Sequence, residues 1–170
     1  MIYSCGGPPC TPSQLKSGVI KTVYCYNSNM RVYKSKHDEL PGSDKDEVIK
    51  LARREYHAIQ HISPRRIPYV KSKYFTKDKI FINNFWEHLN QKSPKERVRR
   101  LKLYPCAIDL LRNTTLTPET IFTRTNMDIN LHRFYGQTKS GNYFCVQVQE
   151  NKRNNRKEFI STFPVKNPNK

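Results

Sequence analysis

The chain has 170 residues, 36% of them hydrophobic and 11% aromatic, enough for one compact core and too few for two independent ones. No stretch approaches the ~20 consecutive apolar residues of a membrane span. The opening MIYSCGGPPC lacks the charged start and apolar run of a secretory signal, so a cytoplasmic protein with no membrane contact is expected. The net charge is +17 and unevenly spread: residues 1–60 carry +3 and residues 61–170 carry +14. Such an excess favours a polyanionic partner, because binding releases condensed counterions. RNA leads, DNA is the alternative, and an acidic protein partner is a third class; a basic surface kept only for solubility is the plain reading.

The leader, residues 1–18, is rich in Gly and Pro and reads as loose. Five cysteines without a secretory signal argue for reduced thiols. Cys5, Cys10 and Cys25 could gather a zinc ion with His37, but the spacing is not that of a usual zinc site, so neither a metal nor any other cofactor is expected. Cys106 and Cys145 lie in apolar stretches and read as core. Residues 19–34 suggest two β-rich runs around Asn-Ser-Asn, a hairpin pattern. Ser43 then stands as N-cap of a helix over 44–60, with Asp46 and Glu47 in its first turn and Val48, Leu51, Ala52 and Ile59 as its apolar stripe.

SPRRIP breaks the chain, which divides it into an N-terminal extension, 1–60, and a main α+β domain, 61–170. YVKSKYFTKDKIFIN alternates around Thr-Lys-Asp-Lys and reads as a short hairpin. Asn84 with Glu87, and Ser93 with Pro94 and Glu96, predict two helices over 85–92 and 94–112. In the second, Val98, Leu101, Ile108 and Leu111 share a face, and Pro105 should kink or split it. NTTLTPET reads as a loop. Strands near 131–136, 142–149 and 157–163 complete the chain. Helices followed by an antiparallel meander give an α+β fold, with the helices packed on one face of a small four-stranded antiparallel sheet.

Side chains alternate along a strand, so parity assigns faces. Phe134, with Phe144, Val146, Val148, Phe159 and Phe163, forms an apolar face. Arg133, Tyr135, Gln147 and Thr162 then collect on the open face, as a cation, two hydroxyls and an amide. A polar solvent face is the plain alternative. His132 shares the face of Phe134 and reads as edge or packing. His57 and His61 read as cations at a helix C-terminus. His88 and Lys92, spaced i, i+4, could aim a proton-transfer group and a cation at one spot.

Taken together, FWEHLNQKSPKERVRRLKLYPCAIDLL, HRFYG, NYFCVQVQ and FISTFP resemble the phage- and mobile-element-associated branch of the barnase–EndoU–colicin–RelE nucleases. The resemblance spans about residues 62–164 and lies in pattern and order. It implies helices ahead of a four-stranded antiparallel sheet and a metal-independent endoribonuclease, plausible as a toxin or mobile-element effector restrained by an acidic antitoxin. In that chemistry the 2′-hydroxyl attacks its neighbouring phosphorus and leaves a cyclic phosphate. His88 would transfer protons, Lys92 and Arg133 would hold the phosphate, and Tyr135 and Thr162 would donate hydrogen bonds to it. No glutamate stands where a barnase-like general base could be named. Ser161 replaces Thr162 as the hydroxyl if a bulge shifts the last strand by one. Lys95, Arg97, Arg99, Arg100, Lys152 and Arg153 are the phosphate clamps of the runner-up reading, a non-catalytic RNA- or DNA-binding module.

Overall fold

The fold is that of a computed structural model, which describes residues 31–122 and 128–169. The leader, Cys5, Cys10, Cys25 and most of the expected first hairpin lie outside the described residues. After a short strand β1 (Tyr33–Lys34) comes helix α1 (Lys45–Ile62). Its N-cap is Asp44 rather than Ser43: the Asp44 carboxylate accepts from the Asp46 and Glu47 amides at 3.0 and 3.1 Å. A carboxylate at this place satisfies two orphan N–H groups and also complements the positive helix end. Val48, Ala52 and Ile59 of α1 are buried in the common core. The helix stops before Pro64, where Ser63 is extended as a residue preceding proline must be.

Strands β2 (Tyr69–Lys71) and β3 (Lys79–Phe81) form the expected antiparallel hairpin, with Tyr69 opposite Phe81. Helix α2 (Asn83–Asn90) follows two residues later. Asn84 lies inside it rather than capping it, and no side chain caps α2. Helix α3 (Pro94–Lys102) is capped by Ser93, whose hydroxyl accepts from the Glu96 amide at 3.4 Å. The Glu96 carboxylate turns to Arg99 and Arg100. Helix α4 (Tyr104–Asn113) starts anew after Leu103 with Pro105 in its first turn, so the expected split is complete.

Strands β4 (Glu119–Phe122), β5 (Ile129–Gln137), β6 (Tyr143–Asn151) and β7 (Arg156–Pro164) end the chain. The α+β class holds, but the small four-stranded antiparallel sheet does not. The sheet is mixed and seven-stranded, in the order β1-β5-β6-β7-β3-β2, with β4 also on β5. Two of its pairings are parallel, β1 with β5 and β3 with β7. They come from segments of two and three residues, too short for a periodicity to register. The expected loop NTTLTPET holds the start of β4, which places Glu119 opposite Arg133 and Thr120 opposite His132.

Phe134, Phe144, Val146, Val148 and Phe159 face the helices and are buried. Phe85 of α2 stacks on Phe159 with centroids 4.7 Å apart and planes 4° from parallel. Where α4 crosses β5 the backbone must come close: a Cβ on Gly136 would overlap the Phe144 ring and sit 2.8 Å from Leu110 Cδ1. At the other side of α4, Asp109 accepts from the Lys36 amide at 2.9 Å and the Ser35 hydroxyl at 3.0 Å, and so fastens the β1 segment to the helix.

The last strand departs from simple parity. Gln147 pairs with Ser161 but Val148 pairs with Phe159, so Ile160 is an extra residue in β7. A bulge of one residue reverses which parity faces which side. Thr162 therefore lies opposite Val146, fully buried, its hydroxyl donating to the Cys145 carbonyl at 3.0 Å. Thr162 is thus no open-face donor, and Ser161 takes that place. Phe163, expected as the core partner of Phe159, lies opposite Cys145 on the open side.

Candidate functional site

The register aligns Glu119, Arg133, Gln147 and Ser161 in one row across β4, β5, β6 and β7, on the face away from the helices. Tyr135, Cys145 and Phe163 make the next row. Tyr135 donates its phenol proton to Glu119 Oε2 at 2.8 Å. Burial, then this bond to a carboxylate, push the Tyr135 pKa far up, so the phenol keeps its proton. Burial likewise pushes the Cys145 thiol up to about 12, which leaves it an unreactive part of the sheet.

Arg100 reaches this face from α3. Its Nη1 donates to the Ser161 hydroxyl, Nη2 lies 3.4 Å from Glu96 Oε2, and its guanidinium stands 5.4 Å from the Phe163 ring centroid. Three contacts hold it with only 16% of the side chain exposed. Both this guanidinium and that of Arg133 retain a buried Nε–H without an acceptor among the described residues. An unpaired buried donor is costly, the more so on a charged group. Arg133 stands in the row and Arg100 reaches its Ser161 end, and an anion bound there would recover that cost.

The expected pairing of His88 with Lys92 does not form. Pro94 forces Ser93 to be extended, α2 ends at Asn90, and Lys92 sits in the exposed link beyond it. His88 remains on α2, on the same face as Asn84 and one turn further, about 6 Å along the axis. Asn84 donates to Glu158 Oε2, and Glu158 is on the open face opposite Gln149. His88 is partly buried, on the helix whose Phe85 stacks against Phe159 of β7.

The basic residues expected as phosphate clamps do not converge. Arg97 donates to the carbonyls of Lys92 and Asn90 at 2.8 and 2.7 Å, which satisfies the C-terminal end of α2. Arg99 pairs with Glu96, Lys95 is exposed on α3, and Arg153 pairs with Asp128 in the β6–β7 turn that also holds Lys152. Of that set Arg100 alone reaches the row. Glu119 escaped sequence reasoning because Pro118 and the threonines mask a strand of four residues; the β-branched and aromatic run TIF was the one available signal.

A second polar constellation lies on the helix-facing side. His132 is buried, with Nδ1 2.9 Å from the Thr120 hydroxyl and Nε2 3.0 Å from Glu150 Oε2. Lys157, 4% exposed, meets Glu150 at 3.0 Å and Asp78 at 2.9 Å, and lies over the Phe75 ring. Burial opposes charge on Glu150, but hydrogen bonds from His132 and Lys157 hold its carboxyl below the usual range. Burial would lower Lys157, yet its bonds to Asp78 and Glu150 raise it. These groups satisfy one another and tie four strands and the hairpin turn together. His132 is thus a packing residue with a polar partner on each ring nitrogen. No group of three potential metal ligands occurs among the described residues.

No protein-family model, no curated protein and no solved structure matches the chain.

Proposed function

We propose that the chain is an endoribonuclease that holds one RNA phosphate between Arg100 and Arg133 on the open face of its sheet. The observation that carries this reading is a pair of buried Nε–H donors without an acceptor among the described residues, Arg133 within the cross-strand row and Arg100 reaching its Ser161 end from α3, beside the Glu119–Tyr135 pair. The net charge of +17 supports a polyanionic substrate. The resemblance to the barnase–EndoU–colicin–RelE nucleases supports RNA as that polyanion.

The reaction follows from the row. The RNA 2′-oxygen attacks the adjacent phosphorus and its proton passes to the Glu119 carboxylate. The two guanidiniums stabilise the charge of the crowded phosphorane. The bond from phosphorus to the 5′-oxygen breaks, and that oxygen takes a proton from His88 as general acid. The products are a 2′,3′-cyclic phosphate and a free 5′-hydroxyl. Tyr135 keeps the carboxylate oriented.

Glu119→Gln tests the assignment. It keeps the shape and the hydrogen bond from Tyr135, so RNA binding measured by fluorescence anisotropy stays near wild type. Cleavage falls by about 10²–10⁴-fold, the usual contribution of a general base. Undiminished cleavage by Glu119→Gln refutes the assigned base. A toxin role, with an acidic antitoxin covering the same face, is part of this reading; it predicts growth arrest on expression that Arg133→Ala relieves.

A further inference from the structure

On the assumption that the open face takes RNA, we infer that its substrate is single-stranded and that Tyr69 and Phe81 form a base-stacking subsite beside the phosphate-holding row. The register carries the open face beyond β7: Gln149 lies opposite Glu158, Glu158 opposite Phe81, and Phe81 opposite Tyr69. This row is two residues along β6 from the Arg133–Gln147–Ser161 row, about 7 Å. Tyr69 lies three strands from Gln147, roughly 14 Å across the sheet.

Each ring here has a cation above it. The Arg156 guanidinium is 4.2 Å from the Phe81 centroid, and the Lys79 ammonium is 4.8 Å from that of Tyr69. The rings meet edge to face at 6.2 Å and both are partly exposed. At the far end of the same face Arg100 and Phe163 repeat the pairing. Cross-strand pairing and the cations stabilise the sheet by only about 0.5–1 kcal/mol each, and they need no exposed ring face. A nucleic acid does: bases stack on the rings and phosphates meet the cations. A duplex keeps its bases stacked inside, so only a single strand can use such rings. An acidic polypeptide would match the cations but not the rings.

The measurement is the affinity of full-length protein for a fluorescently labelled 12-nucleotide RNA, the same RNA as a duplex, and poly-glutamate, together with cleavage of a dinucleotide too short to span both sites. Tyr69→Leu and Phe81→Leu keep apolar bulk and remove the π face, and Arg156→Ala and Lys79→Ala leave both rings in place. Each ring substitution should weaken binding of the 12-mer about tenfold, without changing dinucleotide cleavage. Each cation substitution should weaken it by a smaller factor. Wild-type affinity in both leucine variants, or a duplex or poly-glutamate bound as tightly as the single strand, overturns the subsite. If dinucleotide cleavage persists while the ring variants bind the 12-mer normally, the subsite is wrong and the nuclease reading stands. If the wild type neither binds nor cuts any RNA, the nuclease reading fails and the subsite fails with it.

Discussion

Lys157 shows how one side chain can be committed to folding. It is a lysine at 4% exposure, tolerated because two carboxylates reach it and Phe75 covers it. Glu150→Gln removes one of those charges and leaves the ammonium and His132 with a weaker acceptor. A loss of about 1–3 kcal/mol in urea unfolding is expected. Glu150 also sets a pH dependence. Its folded carboxyl ionises below its ordinary value of 4.5, so its contribution is fully present above that pH and disappears as pH falls through the folded value. Lys157 has the opposite sign: its contribution is present below the ordinary lysine value and is lost as pH rises through the raised folded one. Wild-type stability should therefore fall on acidification below about pH 4.5, and Glu150→Gln should flatten that fall. Equal slopes in the two proteins would remove Glu150 from the account. At the same scale, Arg133 and Tyr135 were legible from parity alone. Thr162 was not, because the bulge at Ile160 leaves no mark in a run such as EFISTF.

The elements differ in how plainly they are written. Strands β5, β6 and β7 have nine residues each, long enough for alternation to show, and α1 carries a full apolar stripe. Strands β1 and β4 are too short to show a period, and neither follows or precedes its pairing partner, β5, through a tight turn. Hence the sheet seemed four strands wide rather than seven, and Glu119 seemed a loop residue. Gly136 was likewise silent in sequence, although it decides how closely α4 can approach β5. Gly136→Ala should cost about 1–3 kcal/mol, since the added methyl overlaps Phe144 and Leu110 in a filled core. Thermal unfolding gives the check: an unchanged midpoint would mean that α4 can shift outward freely. The added methyl lies on the helix side, so RNA affinity should change little.

Over the whole molecule, four cations share the face of the sheet that the helices leave open. The helices cover one side of a mixed sheet, and on the other side Arg100, Arg133, Arg156 and Lys79 are set among aromatic rings. If these four meet phosphates, log affinity for single-stranded RNA should fall against log salt with a slope near −3, about −0.7 per contact. Arg133→Ala should reduce that slope by about 0.7. A slope that Arg133→Ala leaves unchanged would place the contacts elsewhere, on the exposed Lys95 or the β6–β7 turn. The excess charge was plain from composition; the place of Lys79 and Phe81 on this face depends on the pairing of β3 with β7, which no local pattern announces. Mapping of reaction ends tests the proposal that this face cuts RNA through the 2′-hydroxyl. Purified protein incubated with RNA in EDTA should yield fragments ending in 2′,3′-cyclic phosphate, with none from an RNA carrying 2′-deoxy sugars or from Arg133→Ala. Intact RNA under those conditions, or fragments ending in a 3′-hydroxyl, would contradict it.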